Sequence, residues 1–213
     1  HGFLTVNGEK MSKSKGTFVS AREYLNHLDP THLRYYFACK LRGNSDDLDL
    51  NFEDFTQRVN SDLIGKITNL GSRGAQMLNK KLDGVMGSTS SEGQKIVELA
   101  QSKSEEIAES YESLNFARAI EQIRSLADEA NKFFDEKAPW NLIKEDEQAT
   151  KQILTDILNV FRILTIYLKP ILPVYASQVE SLFGGSEFTW KSSQETLVDQ
   201  KIESYSHLSK RVE

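Results

Sequence analysis

Three lysines, two serines and a glycine fall within seven residues at Lys10-Met11-Ser12-Lys13-Ser14-Lys15-Gly16. Lysine is a compact charge on a long flexible stem, so several along one loop can close over a polyphosphate and follow charge as it moves between oxygens. The serines and open backbone add hydrogen-bond donors, and the glycine lets the loop swing. Short motifs of this kind also recur by accident, and a solvated Lys/Ser turn is the competing reading.

A second candidate lies on a helix. Val59, Leu63, Ile67, Leu70, Gly74 and Met77 step by three or four and form one core-facing stripe. At about 100° per residue, Asp62, Lys66, Asn69 and Arg73 share a flank about a quarter-turn away, and Asn69 and Arg73 are expected to point together into solvent. An amide beside a guanidinium can read nucleobase edges or clamp a phosphate; an ordinary polar helix flank is the alternative. The third candidate is Trp140, held by Pro139 at a helix end. It suits a stacking platform for an unpaired base, worth about 1–3 kcal/mol, and suits a hydrophobic plug equally well.

The elements that must carry these residues change character along the chain. Gly2–Val6 alternates like a strand, Asn7-Gly8 is a turn pair, and the lysine loop re-enters structure at Phe18-Val19. Ser20 with Glu23 forms a capping-box pattern for a short helix ending at Asp29-Pro30, and Thr31 opens a second that Gly43-Asn44-Ser45 stops. Residues 46–52 alternate acid and apolar side chains, as a short strand or an extended arm would. From about Glu53 long helices take over. The first bears the stripe above; a Gly/Ser-rich loop spans 82–93; a second helix runs through Ile96–Leu114. A third starts near Asn115, with Arg124, Asp128, Asn131 and Asp135 along its flank, and must stop at Pro139. The helix from about Glu147 to Leu168 is apolar over most of its circumference and is expected at the bundle centre. Pro173 starts the last helix before Gly184-Gly185, and the tail to Glu213 is expected to pack only in part. The expected fold is mainly α: a small α/β region at 1–55, then a helical bundle at 56–213.

The 213 residues are 38% hydrophobic and 27% charged, as in a folded globular chain. A single cysteine, Cys39, excludes an internal disulfide or a cysteine-built metal site, and no metal site is expected. Apolar runs are broken before membrane-spanning length and no leader precedes them, so a cytoplasmic protein without a membrane partner is expected. The opening at His1, inside a strand-like run and without methionine, suggests a piece of a longer protein. Net charge is −5, which alone argues mildly against a nucleic-acid partner. The distribution argues otherwise, since residues 1–43 and 57–81 are basic islands of +4 each in an acidic background.

Taken in order, the run from His1-Gly2-Phe3-Leu4-Thr5-Val6-Asn7-Gly8 through the lysine loop to Phe18, then Asn69-Leu70-Gly71-Ser72-Arg73, then Ala138-Pro139-Trp140 resembles the C-terminal part of the bacterial-type methionyl-tRNA synthetases. The resemblance covers essentially the whole chain. Lysine loops also mark other class I synthetases, such as the cysteinyl and leucyl enzymes; the two later motifs select methionyl. It implies a KMSKS loop and stem-contact region followed by a class I anticodon-binding bundle. It implies that Lys13, with Lys10 assisting, stabilises ATP phosphates during methionine activation, within an ATP-binding loop of Lys10, Met11, Ser12, Lys13 and Ser14. Asn69, Arg73 and Trp140 would recognise the anticodon C-A-U, with Asn131 and Asp135 as weaker candidates. Implied partners are tRNA(Met), methionine and ATP with Mg2+. The nucleotide-binding fold, with its metal-binding insertion and zinc, would precede His1, so the chain alone is expected to be inactive. A helical interaction module with an incidental lysine loop is the rival of a different class.

Overall fold

The computed structural model describes residues 2–213; His1, the first residue of the matching opening run, lies outside the described residues. Strand β1 (Leu4–Val6) turns back through Asn7 and Gly8, both at positive φ, into β2 (Glu9–Lys10). Two consecutive left-handed residues match the twist of a tight hairpin, which is why Asn-Gly stands there. β3 (Leu48–Leu50) joins the other edge of β1 in parallel, giving the order β2-β1-β3. The acid/apolar alternation of 46–52 therefore holds a strand only at its centre, Leu48–Leu50, and its acids bond the neighbouring strand and turn. Asp49 accepts from Thr5 Oγ1 at 2.7 Å and from the Gly8 amide at 2.8 Å, fixing the hairpin; Asp47 accepts from the Phe3 amide at 2.7 Å.

Between β2 and β3 lie α1 (Ala21–His27) and α2 (Pro30–Ala38). Ser20 caps the first as expected, accepting from the Glu23 amide, whereas Asp29, expected only as a stop for α1, caps the second by accepting from the Thr31 amide, so α2 opens at Pro30. Tyr36 of α2 is fully buried, and its hydroxyl bonds the β3 backbone. With Val6, Leu50, Phe55 and Val59 it forms a core separate from that of the bundle.

Asn51 caps α3 (Phe52–Gln57), which continues without a break as a π-helical segment (Arg58–Thr68) and then α4 (Asn69–Lys81). The Asn69 amide bonds the carbonyl of Ile64, five residues back, at the point where the wide helix hands over to the ordinary one. One continuous rod thus joins the sheet module to the bundle. Lys40 and Arg58 clamp Asp54 on that rod at 2.8 and 2.7 Å.

The second long helix expected at 96–114 is two helices, α5 (Ser91–Ser102) and α6 (Ser104–Glu112). The bend at Lys103 lets α5 pack on the central helix while α6 turns onto its neighbour α7 (Phe116–Lys137), so one straight helix could not serve both contacts. After the four-residue α8 (Pro139–Leu142), α9 (Glu147–Leu168) runs through the centre, buried on nearly all sides, and α10 (Pro173–Leu182) follows. Gly71 and Gly74 face α9. A Cβ on Gly71 would stand 2.4 Å from the Phe161 ring, so the glycine sets how closely α4 approaches.

The tail corrects the expectation of partial packing. Beyond a short 3₁₀ turn (Trp190–Gln194) it has little regular structure, yet it is docked to its end. Ile202, Leu208 and Val212 are buried, and three helical asparagines each hold one stretch of its backbone. Asn159 bonds Leu197 N–H and C=O at 2.7 and 2.8 Å; Asn79 bonds Tyr205 N–H and Glu203 C=O; Asn60 bonds both backbone groups of Val212. Val212 completes the sheet-module core. None of these partners is near in sequence, so only the folded chain brings them together.

Candidate nucleic-acid interface

The two polar flanks read from the sequence face each other. Asp62, Lys66 and Arg73 on the first rod pair with Arg124, Asp128 and Asp135 on α7, at 3.3, 2.8 and 2.9 Å. The expectation that Asn69 and Arg73 both point into solvent holds for Asn69, which is exposed. It fails for Arg73, because α7 lies across that flank and opposite charges draw the two helices together there.

Arg73 is held on three sides. Its Nη2 donates to Asp135, and its guanidinium carbon stands 4.7 Å from the Phe134 ring centroid and 5.0 Å from that of Trp140. A guanidinium has five N–H donors, so most remain for a ligand. Trp140 meets Phe134 edge to face at 5.9 Å while keeping 41% of its surface exposed. Its position follows from local chemistry. Ala138 takes a left-handed conformation (φ 40°) that ends α7, and Pro139, lacking an N–H, opens α8 at its first position.

Asn69 and Arg73, one helical turn apart, and Trp140, far from them in sequence, converge on one pocket of about 470 Å³. Its remaining wall is made by Ser72, Gln76, Met77, Lys80, Lys81, Phe134 and Ile143. None of these is expected from the sequence as a site residue: Met77 belongs to the core-facing stripe of the first rod, and Lys80 and Lys81 only to a basic island. Helical periodicity from Arg73, at +3, +4 and +7, would have found Gln76, Met77 and Lys80. Neither of the weaker candidates lines the pocket. Asn131 spends its amide on the carbonyls of Lys66 and Ala127 at 3.0 and 2.7 Å, supporting the backbone just before the helix handover. Asp135 accepts from Arg73 Nη2 at 2.9 Å and touches the pocket only through that pair. The result is an apolar, aromatic floor with an amide, a guanidinium and two lysines at its rim, which suits a planar base with its phosphate.

The lysine loop belongs to the sheet module. Thr17 closes it, accepting from the Ser12 amide and donating to the Lys10 carbonyl, both at 3.0 Å, and Gly16 turns at φ 72°. Lys10 lies at the end of β2, and Met11 packs on the sheet-module core. The Ser12 and Ser14 hydroxyls stand 3.0 Å apart, Lys13 and Lys15 are exposed, and the Lys13 ammonium rests 5.4 Å from the Phe18 ring centroid. Among the described residues no group of His, Cys, Asp and Glu side chains is arranged to hold a metal ion, and no helix is long and apolar enough to cross a membrane.

A family model described as the anticodon binding domain of methionyl tRNA ligase matches residues 85–206, more than half of the chain. The chain belongs to the methionyl-tRNA ligase family. A second model, tRNA synthetases class I (M), matches residues 1–75. The methionine–tRNA ligase of Bdellovibrio bacteriovorus is 56% identical over all 213 residues, and the chain spans 31% of that relative's length. Among solved structures, Mycobacterium tuberculosis methionyl-tRNA synthetase in its free state superposes over 100% of this chain and 43% of its own (TM-score 0.86, 22% identity). The same enzyme in complex with methionyl-adenylate superposes over 98% of this chain and 43% of its own, with TM-score 0.87 and 25% identity.

Proposed function

We propose that this chain is the part of a methionine–tRNA ligase that recognises the C-A-U anticodon of tRNA(Met) and supplies the lysine loop for methionine activation. The observation that carries the first half is the convergence of Asn69, Arg73 and Trp140 on one pocket. An unpaired base stacked on the exposed Trp140 ring would bring its edge within reach of the Asn69 amide and the free Arg73 donors, the combination that single-stranded RNA recognition uses. Lys80 and Lys81 at the rim would meet phosphates of the anticodon loop.

For the second half, Lys13, with Lys10 assisting, would neutralise charge on the ATP phosphates as the methionine carboxylate displaces pyrophosphate from the α-phosphorus. Met11, Ser12 and Ser14 complete the loop, and ATP arrives as substrate with Mg2+. The fit rests on residue chemistry: exposed ammoniums on a loop that a single threonine closes can move as a unit onto a triphosphate. The nucleotide-binding fold, the methionine pocket and any zinc would belong to the rest of the enzyme. Residues 1–55 would form the lysine-loop and stem-contact part, with 20–55 lying against the inside of the tRNA, residues 56–213 would hold the anticodon, and the site of action is the cytoplasm.

The test is binding of the purified chain to tRNA(Met) and to the same tRNA with an altered anticodon. Tighter binding of the C-A-U form, weakening as salt rises, is expected; equal affinity for the two would contradict the reading.

A further inference from the structure

A second cleft, of about 510 Å³, opens where the sheet module meets the bundle. Four arginines line it from three directions: Arg42 after α2, Arg58 on the π-helical segment, and Arg118 and Arg124 on α7. The acids on its wall are Glu121 and Asp128, and Asp128 is already paired with Lys66. Arginine's planar fork matches phosphate oxygens two at a time, and four converging from three elements impose a geometry that a solvated surface does not.

These cations are incompletely satisfied. Arg42 is exposed and has no ion pair among the described residues. Arg118–Glu106 and Arg124–Asp62, at 3.2 and 3.3 Å, are the two longest ion pairs among those residues, and the buried Nε of Arg124 has no aligned hydrogen-bond acceptor. Only Arg58 is tightly engaged, with Asp54 at 2.7 Å. The cleft also lies on the flank of α7 that bears Asp135, the ion-pair partner of Arg73 in the anticodon pocket. Arg124 and Asp135 are eleven residues apart, about 16 Å along the helix axis.

We infer that this arginine cleft binds a backbone phosphate of the same tRNA, on the stem side of the anticodon, so that one RNA lies across both sites. This rests on the anticodon reading of the pocket. The cleft would contribute affinity and register without base discrimination, as phosphate contacts do. Because its arginines come from both modules, the bound phosphate would also tie the sheet module to the bundle.

The experiment measures affinity for tRNA(Met) and for its anticodon-altered form across a salt series, in the wild-type chain and in the Arg42→Gln/Arg118→Gln double variant. A thermal melt is recorded on both, and Arg42→Gln alone serves if the double variant melts early. The expected result is weaker binding of both tRNAs by the same factor, about tenfold or more at low salt. The plot of log K against log salt should become shallower by about 0.7–0.9 for the one lost phosphate contact, with discrimination unchanged. Unchanged affinity and slope would overturn the inference. So would loss of discrimination at constant slope, or inorganic phosphate binding that the substitutions abolish while tRNA binding survives. Failure of the wild-type chain to discriminate between the tRNAs would instead defeat the anticodon reading itself.

Discussion

Arg73 shows most clearly what a residue's type reveals and what it hides. Its pairing with Asn69 at i and i+4 was legible, because helix geometry makes those two neighbours. Its contact with Asp135 and its stacking on Phe134 and Trp140 depend on a helix more than forty residues later, and no local pattern carries that. Trp140 had two open readings, plug and platform, and its geometry contains both: one edge is packed on Phe134, while 41% of its surface stays exposed. Trp140→Ala is therefore expected to weaken anticodon binding by about 1–3 kcal/mol while changing the melting temperature little. A loss of binding that only tracks a loss of folding would make the ring a plug. Arg73 would also lose its second aromatic face in that variant, so part of the lost affinity would come from a less fixed guanidinium.

At the scale of elements, the start of α1 was readable because a cap is a local event, with Ser20 three residues from the amide it binds. Asp29 and Asn51 cap α2 and α3 just as locally, two and three residues from theirs, but Asp29-Pro30 also reads as a stop and Asn51 as part of the alternation before it. The bend at Lys103 was not readable, since it answers to which neighbours α5 and α6 must touch. The start of α5 adds a case that spans both scales. Ser90 caps the helix locally, and its own hydroxyl donates at 2.7 Å to Asp156, a buried carboxylate on α9. Burial pushes the Asp156 carboxyl up to about 7 against the opposing pull of the Ser90 hydrogen bonds. The folded protein therefore keeps a proton between about pH 4 and 7 that the unfolded chain releases, and this contribution to stability is lost as pH rises through about 7. Asp156→Asn should remove that slope, so stability measured by denaturant from pH 5 to pH 8 should vary less than in the parent. An equal slope in both proteins would mean that Asp156 is ionised throughout. Gly93 is tied to the same spot, as a Cβ there would overlap the Asp156 carboxylate.

Across the whole molecule, mainly helical architecture, a small leading sheet and a central α9 followed from periodicity and composition. The course of the tail did not, because it is held by Asn60, Asn79 and Asn159, which look like ordinary polar positions on their helices. Together they guide an irregular strand from the bundle back to the sheet module, where Val212 fills the second core and His32 Nε2 lies 2.8 Å from Ser209 Oγ. Truncation after Glu203 removes the buried Leu208 and Val212, and is expected to cost about 2–4 kcal/mol. Amide exchange should quicken in α2 and β3 more than in α5; uniform protection would show that the tail is an ornament. The rod from Phe52 to Lys81 and this returning tail are two separate ties between the modules, so the lysine loop and the Asn69–Arg73–Trp140 pocket sit on one connected body. The most direct check of the central claim, that anticodon bases occupy the Asn69–Arg73–Trp140 pocket, uses the fact that the chain has two tryptophans. In Trp190→Phe, Trp140 alone reports, and titration with an anticodon hairpin bearing C-A-U should quench its fluorescence saturably, while an altered anticodon should not. Tight C-A-U binding that leaves Trp140 fluorescence unchanged would contradict the account.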